Sequence, residues 1–409
     1  MTRSPAIFWF FLCLPLAAQD AKIGVTMPVT LSANFQRTER LQTFEPEAST
    51  AIGGFRAMLY PTAKLGDHWF AYSAFQVNSE PYFYYSSYYP TRDVEARVLQ
   101  LFGGYTWMGE RKAFSVKAGK LPSAFGSFPL RYDDTANPLL DVPLNYGSYS
   151  VLRADQLPCG VQDLLRPRSY KFVRFSCGGS TDLDYGVWPV SMYGIVGGEI
   201  DLSYHRIDAR FQLTNSSPAY PLPLNSGDQH VQWTAGAAYT IRQGFRVGFS
   251  AYRGPFLEED VADLLPQGQT VRDYPATAVG VDVQWASGRW STTGEWQRFQ
   301  FDYPGFRVSP AISAGYVEGK SVLTPRFYTA FRFSFQNFNR VEDQITKSPG
   351  PFQPNRRAYE LAVGFHLNHM QTLKVGYEWL TPTGFSGRRD DVFGLQLVTS
   401  INSLSKALK

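Results

Sequence analysis

The chain has 409 residues, a formal charge of +4 and a mean hydropathy of -0.24; 16% of its residues are aromatic and 18% are charged. So small and dispersed a charge argues against a nucleic-acid-binding protein. Beyond the N-terminus, no segment approaches the roughly 18 consecutive apolar residues of a membrane-spanning helix. The aromatic content is high for a soluble enzyme and is typical of strands that face lipid, with Tyr and Trp at both interfaces.

The N-terminus has the three parts of a secretory signal peptide. Arg3 gives a positive start, residues 6–16 form an apolar core, and Leu16-Ala17-Ala18 precedes Gln19 as a small-residue cleavage site. We therefore predict a signal peptide over residues 1–18 and a single mature barrel domain over residues 19–409.

Short turns and long polar stretches alternate along the mature chain. The turns join pairs of strand-like segments and lie at Gly109–Arg111, Arg242–Gly244, Ser287–Gly288 and Asn368–Met370. The long connections lie at Ser79–Glu95, Gly254–Pro275, Gln336–Arg357 and Thr381–Asp391. This asymmetry is typical of outer-membrane barrels, and the count gives about sixteen strands. The sequence thus predicts an all-β, transmembrane antiparallel barrel with long external loops and short periplasmic turns.

The longest predicted connection, residues 120 to about 184, follows the fifth strand. A loop of roughly sixty residues is too long for a passive link, because such loops in compact domains are usually functional or disordered. Cys159 and Cys177 lie in it and are the only cysteines after the signal peptide. In an exported protein this pair predicts a disulfide, with two free thiols as the alternative. Two cysteines without a nearby His pair make a poor metal site, so we predict no metal and no cofactor.

The start of this loop resembles a known family. Residues 116–126, Val-Lys-Ala-Gly-Lys-Leu-Pro-Ser-Ala-Phe-Gly, resemble a Gly-Lys-x-x-x-x-Phe-Gly stretch of phosphate-selective and dicarboxylate-type bacterial porins. Arg131-Tyr132-Asp133-Asp134 and Asn137-Pro138-Leu139-Leu140 also resemble that family. The resemblance covers about thirty residues. It implies a sixteen-stranded trimeric channel whose third external loop folds inward and narrows the pore.

Positive charge in the loop gives the candidate site. The strand walls show no clear preference, because inward-facing bases such as Lys374 are offset by acids such as Glu360. If the loop lies in the lumen, its cations would favour anions, and guanidinium groups suit carboxylate or phosphate. The alternative is a solvated external face that binds lipopolysaccharide phosphates. The predicted solute-facing residues are Lys120, Arg131, Arg153, Arg166, Arg168, Lys171 and Arg174.

One segment changes its alternation. Between residues 199 and 214 the apolar positions are first Ile200, Leu202 and Tyr204, and then Ile207, Ala209, Phe211 and Leu213. One extra residue in a strand shifts the alternation in this way. We therefore predict a β-bulge near His205 and Arg206.

The C-terminal strands alternate most clearly. Tyr359, Leu361, Val363 and Phe365 share one parity, while Glu360, Ala362, Gly364 and His366 share the other. Phe327, Phe331, Phe333 and Phe335 repeat the pattern against Arg332 and Ser334. Because successive side chains of a strand point to opposite faces, each segment has one apolar and one polar wall.

The sequence gives no catalytic arrangement. Asp67-His68 lies at a predicted turn without a recognisable nucleophile, and the carboxylate pairs Asp133-Asp134 and Asp390-Asp391 lie in loops. We predict that the protein is not an enzyme. The predicted function is passive diffusion of small hydrophilic solutes, with an anion preference, across the cell outer membrane. Its predicted partners are outer-membrane lipid, lipopolysaccharide, those solutes and, by resemblance, two further copies of the chain. The alternative is a non-conducting barrel that serves as a surface receptor, adhesin or structural protein.

Overall fold

The computed structural model describes residues 23–38, 50–79, 94–131, 133–148, 150–165, 175, 177–179, 186–190, 194–215, 231–342, 349–383 and 388–402. The predicted signal peptide lies outside this part of the chain. Within it, no helix is long and apolar enough to cross a membrane. The short α-helices are Leu144–Gly147 and Val161–Leu165, and 3-10 turns lie at Phe128–Arg131, Glu259–Leu264 and Val271–Asp273.

The described residues form sixteen long strands. They are β1 Val29–Thr38, β2 Ala51–Leu59, β3 Trp69–Ser79, β4 Val94–Met108, β5 Lys112–Leu121, β6 Ile195–Tyr204, β7 Ile207–Thr214, β8 Gln232–Arg242, β9 Phe245–Pro255, β10 Pro275–Ser287, β11 Trp290–Phe301, β12 Ala311–Val322, β13 Phe327–Phe338, β14 Arg356–His366, β15 Gln371–Thr383 and β16 Arg388–Ile401. Short strands Ile23–Thr26 and Thr62–Leu65 pair with each other, and Arg340–Glu342 pairs with Pro349–Pro351.

The sheet closes on itself. Each long strand pairs antiparallel with the next one in the chain, and β1 pairs with β16 from Val29↔Ile401 to Thr38↔Val392. A closed sheet leaves no edge with unpaired backbone groups, which is the condition for strands to cross lipid. The predicted transmembrane antiparallel barrel is confirmed.

Short and long connections separate to opposite ends of the barrel. One end has turns such as residues 109–111, 243–244 and 367–370, which agree with the predicted hairpins. The other end has the long connections, including residues 122–194, 256–274 and 339–355. We call the end with the short turns the turn side and the end with the long connections the loop side. The N-terminal end of β1 and the C-terminal end of β16 both lie at the turn side.

The wall is apolar outside and polar inside. On β14, Tyr359, Leu361 and Val363 are 43%, 46% and 44% exposed, whereas the intervening Glu360 is 5% exposed. A soluble protein would bury the first set and expose the second. The inverted pattern is the one expected where lipid covers the outer face and the lumen holds polar groups.

The segment from residue 199 to residue 214 corrects one prediction. It contains a hairpin and not a bulge, because β6 ends at Tyr204, β7 begins at Ile207, and these two residues pair directly. His205 adopts a φ of 55° in the two-residue turn, the left-handed conformation that such tight hairpins need. Residues 204 and 207 both face outward. A two-residue turn therefore shifts the apparent alternation just as one inserted residue would.

The outward face of β14 gives a test of this wall. Replacing Leu361 by Arg should lower the free energy of unfolding by about 2–4 kcal/mol if the residue lies near the membrane midplane. Urea unfolding in lipid vesicles would measure the loss, with Gln243→Arg at an exposed turn as the matched control. Equal stability of the two variants would contradict the lipid-facing assignment.

Candidate functional site: the lumen and its inserted loop

The described part of the connection between β5 and β6 folds into the lumen. The connection covers residues 122–194, so it ends later than the predicted residue 184. Its backbone N–H groups donate to inward-facing wall side chains on four different strands. The bonds are Ala124 to Gln212 on β7 (2.9 Å), Gly126 to Ser250 on β9 (3.1 Å), Ser127 to Glu295 on β11 (3.0 Å) and Leu140 to Glu360 on β14 (2.8 Å). We call residues 122–194 the inserted loop.

A buried charge cluster joins the inserted loop to β1, β2 and β15. Asp134 forms an ion pair with Arg56 and accepts a hydrogen bond from Ser32 Oγ (2.6 Å). Lys374 Nζ donates to the carbonyl oxygens of Asp134 (2.6 Å) and Asn137 (2.7 Å). Burial alone would raise the pKa of Asp134, but Arg56 and Lys374 outweigh it and hold that pKa below its usual value. The cluster therefore holds an ionised carboxylate at this point.

A second cluster lies on β12, β13 and β14. Arg332 donates to Glu318 (2.7 Å) and Glu360 (3.0 Å) on the neighbouring strands. It also donates to the Asp141 carbonyl (2.7 Å) and the Asn137 side-chain oxygen (3.0 Å) of the inserted loop. One guanidinium thus uses its planar set of donors to connect three strands and the loop.

Aromatic side chains pack the inserted loop against β9, β11 and β12. The Phe125 ring lies 5.0 Å from that of Tyr252, and the Phe128 ring lies 6.0 Å from that of Tyr316. All four rings are almost fully buried. Tyr146 Oη adds a hydrogen bond of 2.6 Å to Glu295. An apolar core therefore lies inside the barrel at β9, β11 and β12, whereas the inward faces of other strands, such as β14, carry polar side chains.

A cavity of about 370 Å³ remains beside the inserted loop, toward the turn side. Its lining carries three basic residues and four acidic ones: Lys117, Arg210, Arg246, Glu199, Asp201, Asp208 and Asp282. Lys117 Nζ lies 2.6 Å from both Glu199 and Asp201, and Arg246 lies 3.2 Å from Asp282. The cavity is polar, and its formal charges nearly cancel.

The predicted solute-facing residues lie in four different settings. Lys120 was predicted to face the lumen, but it lies on the outward-facing side of β5, opposite Leu101. Its Nζ donates a hydrogen bond to the Val98 carbonyl (2.7 Å). Arg153 is fully buried and paired with Asp155 inside the loop, which removes it from solute contact. Arg131 ends a 3-10 turn of the loop. Arg166, Arg168, Lys171 and Arg174 lie outside the described residues.

A disulfide joins Cys159 and Cys177 within the inserted loop. The Cys159 backbone N–H donates to Asp163 (2.9 Å), and the Leu157 N–H donates to the Gly178 carbonyl (3.1 Å). The cross-link therefore lies within a locally hydrogen-bonded segment.

The carboxylate pair Asp133-Asp134 serves as an anchor. Asp133 accepts a hydrogen bond from Tyr60, and Asp134 is paired with Arg56. Asp67 and His68 lie at an exposed turn, as predicted. In the part of the chain that the structure describes, no cluster of His, Cys, Asp and Glu could hold a metal ion.

Comparison with known proteins rests on structure. No protein-family model and no curated protein sequence matches the chain. The fold matches an anion-selective porin from Comamonas acidovorans (9% identity, TM-score 0.54, 93% of this chain and 100% of that one). It also matches OmpT of Vibrio cholerae (11%, 0.52, 93% and 98%) and the outer membrane channel DcaP of Acinetobacter baumannii (11%, 0.52, 93% and 97%). This chain has the fold of a bacterial outer-membrane porin.

The Asp134 cluster predicts a cost for removing its carboxylate. Asp134→Ala breaks the buried ion pair with Arg56, and breaking such a pair costs about 3–5 kcal/mol. Urea unfolding in vesicles would measure the loss, with the exposed Asp260→Ala as the control. If both variants were equally stable, the cluster would not anchor the loop.

The pKa of Asp134 also predicts a pH dependence. A carboxyl whose folded-state pKa is depressed stabilises the fold above its unfolded-state pKa, and the contribution disappears as the pH falls through the folded-state value. The stability difference between the wild type and Asp134→Asn should therefore be constant from about pH 7 to about pH 5 and shrink below about pH 4. Unfolding midpoints across this range would show it. A difference independent of pH would contradict the ionised assignment.

Proposed function

We propose that the protein is an outer-membrane channel through which small hydrophilic solutes diffuse passively. The observation that carries the proposal is the inserted loop together with the polar cavity of about 370 Å³ that it leaves beside β5–β10. In this proposal the loop, anchored on several strands, narrows the barrel and leaves part of its cross-section open. Diffusion through water needs no covalent chemistry, and we propose no enzymatic activity. The anion-selective porin and the channel DcaP among the structural neighbours support the same class of function.

An anion preference is part of the proposal. It rests on Arg166, Arg168, Lys171 and Arg174 of the inserted loop, because cationic groups at a narrow point favour anions. The cavity does not add to it, since its three bases face four acids. We therefore expect a modest preference, governed by the loop and not by the wall.

Location and assembly are also proposed. The predicted signal peptide would export the chain, and the apolar outer wall would place it in the outer membrane, in contact with lipid and lipopolysaccharide. We propose a homotrimer, which is supported by the fold likeness to a trimer form of Vibrio cholerae OmpT (11% identity, TM-score 0.51, 93% of this chain and 99% of that one). The Cys159–Cys177 disulfide would brace the inserted loop.

One observation favours the alternative function. The apolar core formed by Phe125, Phe128 and Tyr146 occupies part of the lumen, as it would in a plugged barrel that serves as a receptor or adhesin. The two functions differ in conductance.

Single-channel recording separates them. The purified barrel, reconstituted in a planar bilayer with KCl, should give stepwise openings. The control is a gel that compares unheated and heated samples of the same preparation. Faster migration of the unheated sample shows that the barrel is folded. Reproducible absence of conductance from this folded protein would overturn the channel and favour the receptor.

Charge selectivity needs its own variant. Arg166→Ser, Arg168→Ser and Arg174→Ser together should reduce the chloride-to-potassium permeability ratio obtained from the reversal potential in a KCl gradient. The matched control removes the same charge from Arg253, Arg272 and Arg307, which are exposed toward the loop side. An unchanged reversal potential in the first variant would contradict the role of the loop arginines.

A further inference from the structure

The turn side of the barrel carries a ring of positive charge. Of the seven turns there, six have a Lys or Arg within or directly beside them, and each of these side chains is exposed. In the described residues of the seven turns, only Asp67 and Glu110 are acidic. The six residues, which we call the basic rim, are Lys64, Arg111, Arg206, Arg242, Arg289 and Arg326.

Hydrogen bonds hold two arginines of the basic rim against the neighbouring hairpins. Arg206 Nη1 donates to the Ile241 carbonyl of the neighbouring hairpin (3.1 Å), and Arg289 Nη1 donates to the Leu323 carbonyl of its neighbour (3.3 Å). Ile241 and Leu323 are outward-facing apolar residues, 41% and 51% exposed. Each guanidinium is therefore held at a strand end that carries an outward-facing apolar side chain, and it has further N–H groups for another acceptor.

Aromatic side chains fix the depth of the basic rim. Trp69, Tyr204 and Trp290 lie at the turn-side ends of their strands and are 52%, 61% and 60% exposed. Exposed Trp and Tyr at strand ends mark the membrane–water interface. Lys112 Nζ lies 5.3 Å from the centre of the Trp107 ring, which brings a cation to the same level. The basic rim thus lies at the depth of the lipid headgroups.

We propose that the basic rim binds the anionic headgroups of phospholipids in the leaflet that faces the turns. Phosphate oxygens of phosphatidylglycerol would accept hydrogen bonds from the remaining N–H groups of Arg206 and Arg289, while the apolar chains lie against the adjacent strands. Basic residues at a membrane surface attract anionic lipids in this way. This binding depends on the insertion of the barrel into a membrane and not on conduction.

Quenching of tryptophan fluorescence tests the proposal with the full chain. The probe is brominated phosphatidylglycerol mixed with phosphatidylcholine in the vesicles that hold the barrel, because a bromine-bearing chain quenches the Trp residues that it touches. The rim variant changes Arg111, Arg206, Arg242, Arg289 and Arg326 to Gln. The matched control changes five exposed loop-side arginines to Gln: Arg253, Arg272, Arg298, Arg307 and Arg340.

We expect phosphatidylglycerol to bind the wild type in preference to phosphatidylcholine. In the rim variant, the ratio of the two lipid-binding constants should fall about threefold or more. The control variant should keep it. High salt should weaken the preference of the wild type, because exposed charges are screened. If the rim variant does not fold, the pair Arg206→Gln and Arg289→Gln replaces it. An unchanged preference in the rim variant, or an equal loss in the control, would overturn the proposal.

Discussion

Pairing of β1 with β16 is the constraint on which the rest of the structure depends. Every backbone N–H and C=O group in a membrane needs a partner, and only closure of the sheet provides one for the first and last strands. Closure also fixes which face of each strand is inside. The apolar outer wall, the polar lumen and the separation of turns from long loops all follow from it.

Closure creates an interior that must be filled or hydrated, and the inserted loop fills part of it in two ways. Toward β9–β12 it packs aromatic rings, and toward β1, β2 and β13–β15 it uses charged groups buried in pairs. Removing Asp134 or Arg332 would break a buried ion pair, so these contacts fix the position of the loop as well as its stability. The polar cavity lies beside β5–β10 and adjoins the aromatic packing at β9.

Alternation of side chains predicted most of this architecture, because lipid imposes it on every strand. It failed at residues 205–206, since a two-residue turn and a one-residue bulge shift the pattern identically. Applied to β5, the same rule places Lys120 with Val116 on the outer face. The prediction that Lys120 faces the pore came from counting it as the first residue of a loop in the lumen. The loop has no periodicity, so its own residues did not indicate that Arg153 would be buried or that Asp134 would meet Arg56. An isolated Arg at an inward position of β2 was the one signal that could have suggested an internal partner.

The most direct test of the account asks whether the inserted loop narrows the barrel or seals it. Ser203 lines the polar cavity, and a Ser203→Cys variant would carry the one thiol of the mature chain outside the Cys159–Cys177 disulfide. A small, charged, membrane-impermeant thiol reagent added from the loop side of a planar bilayer should react with this cysteine and lower the single-channel conductance. Reaction from the turn side alone, with no effect from the loop side, would show that the loop closes the barrel and would contradict a diffusion pathway through it.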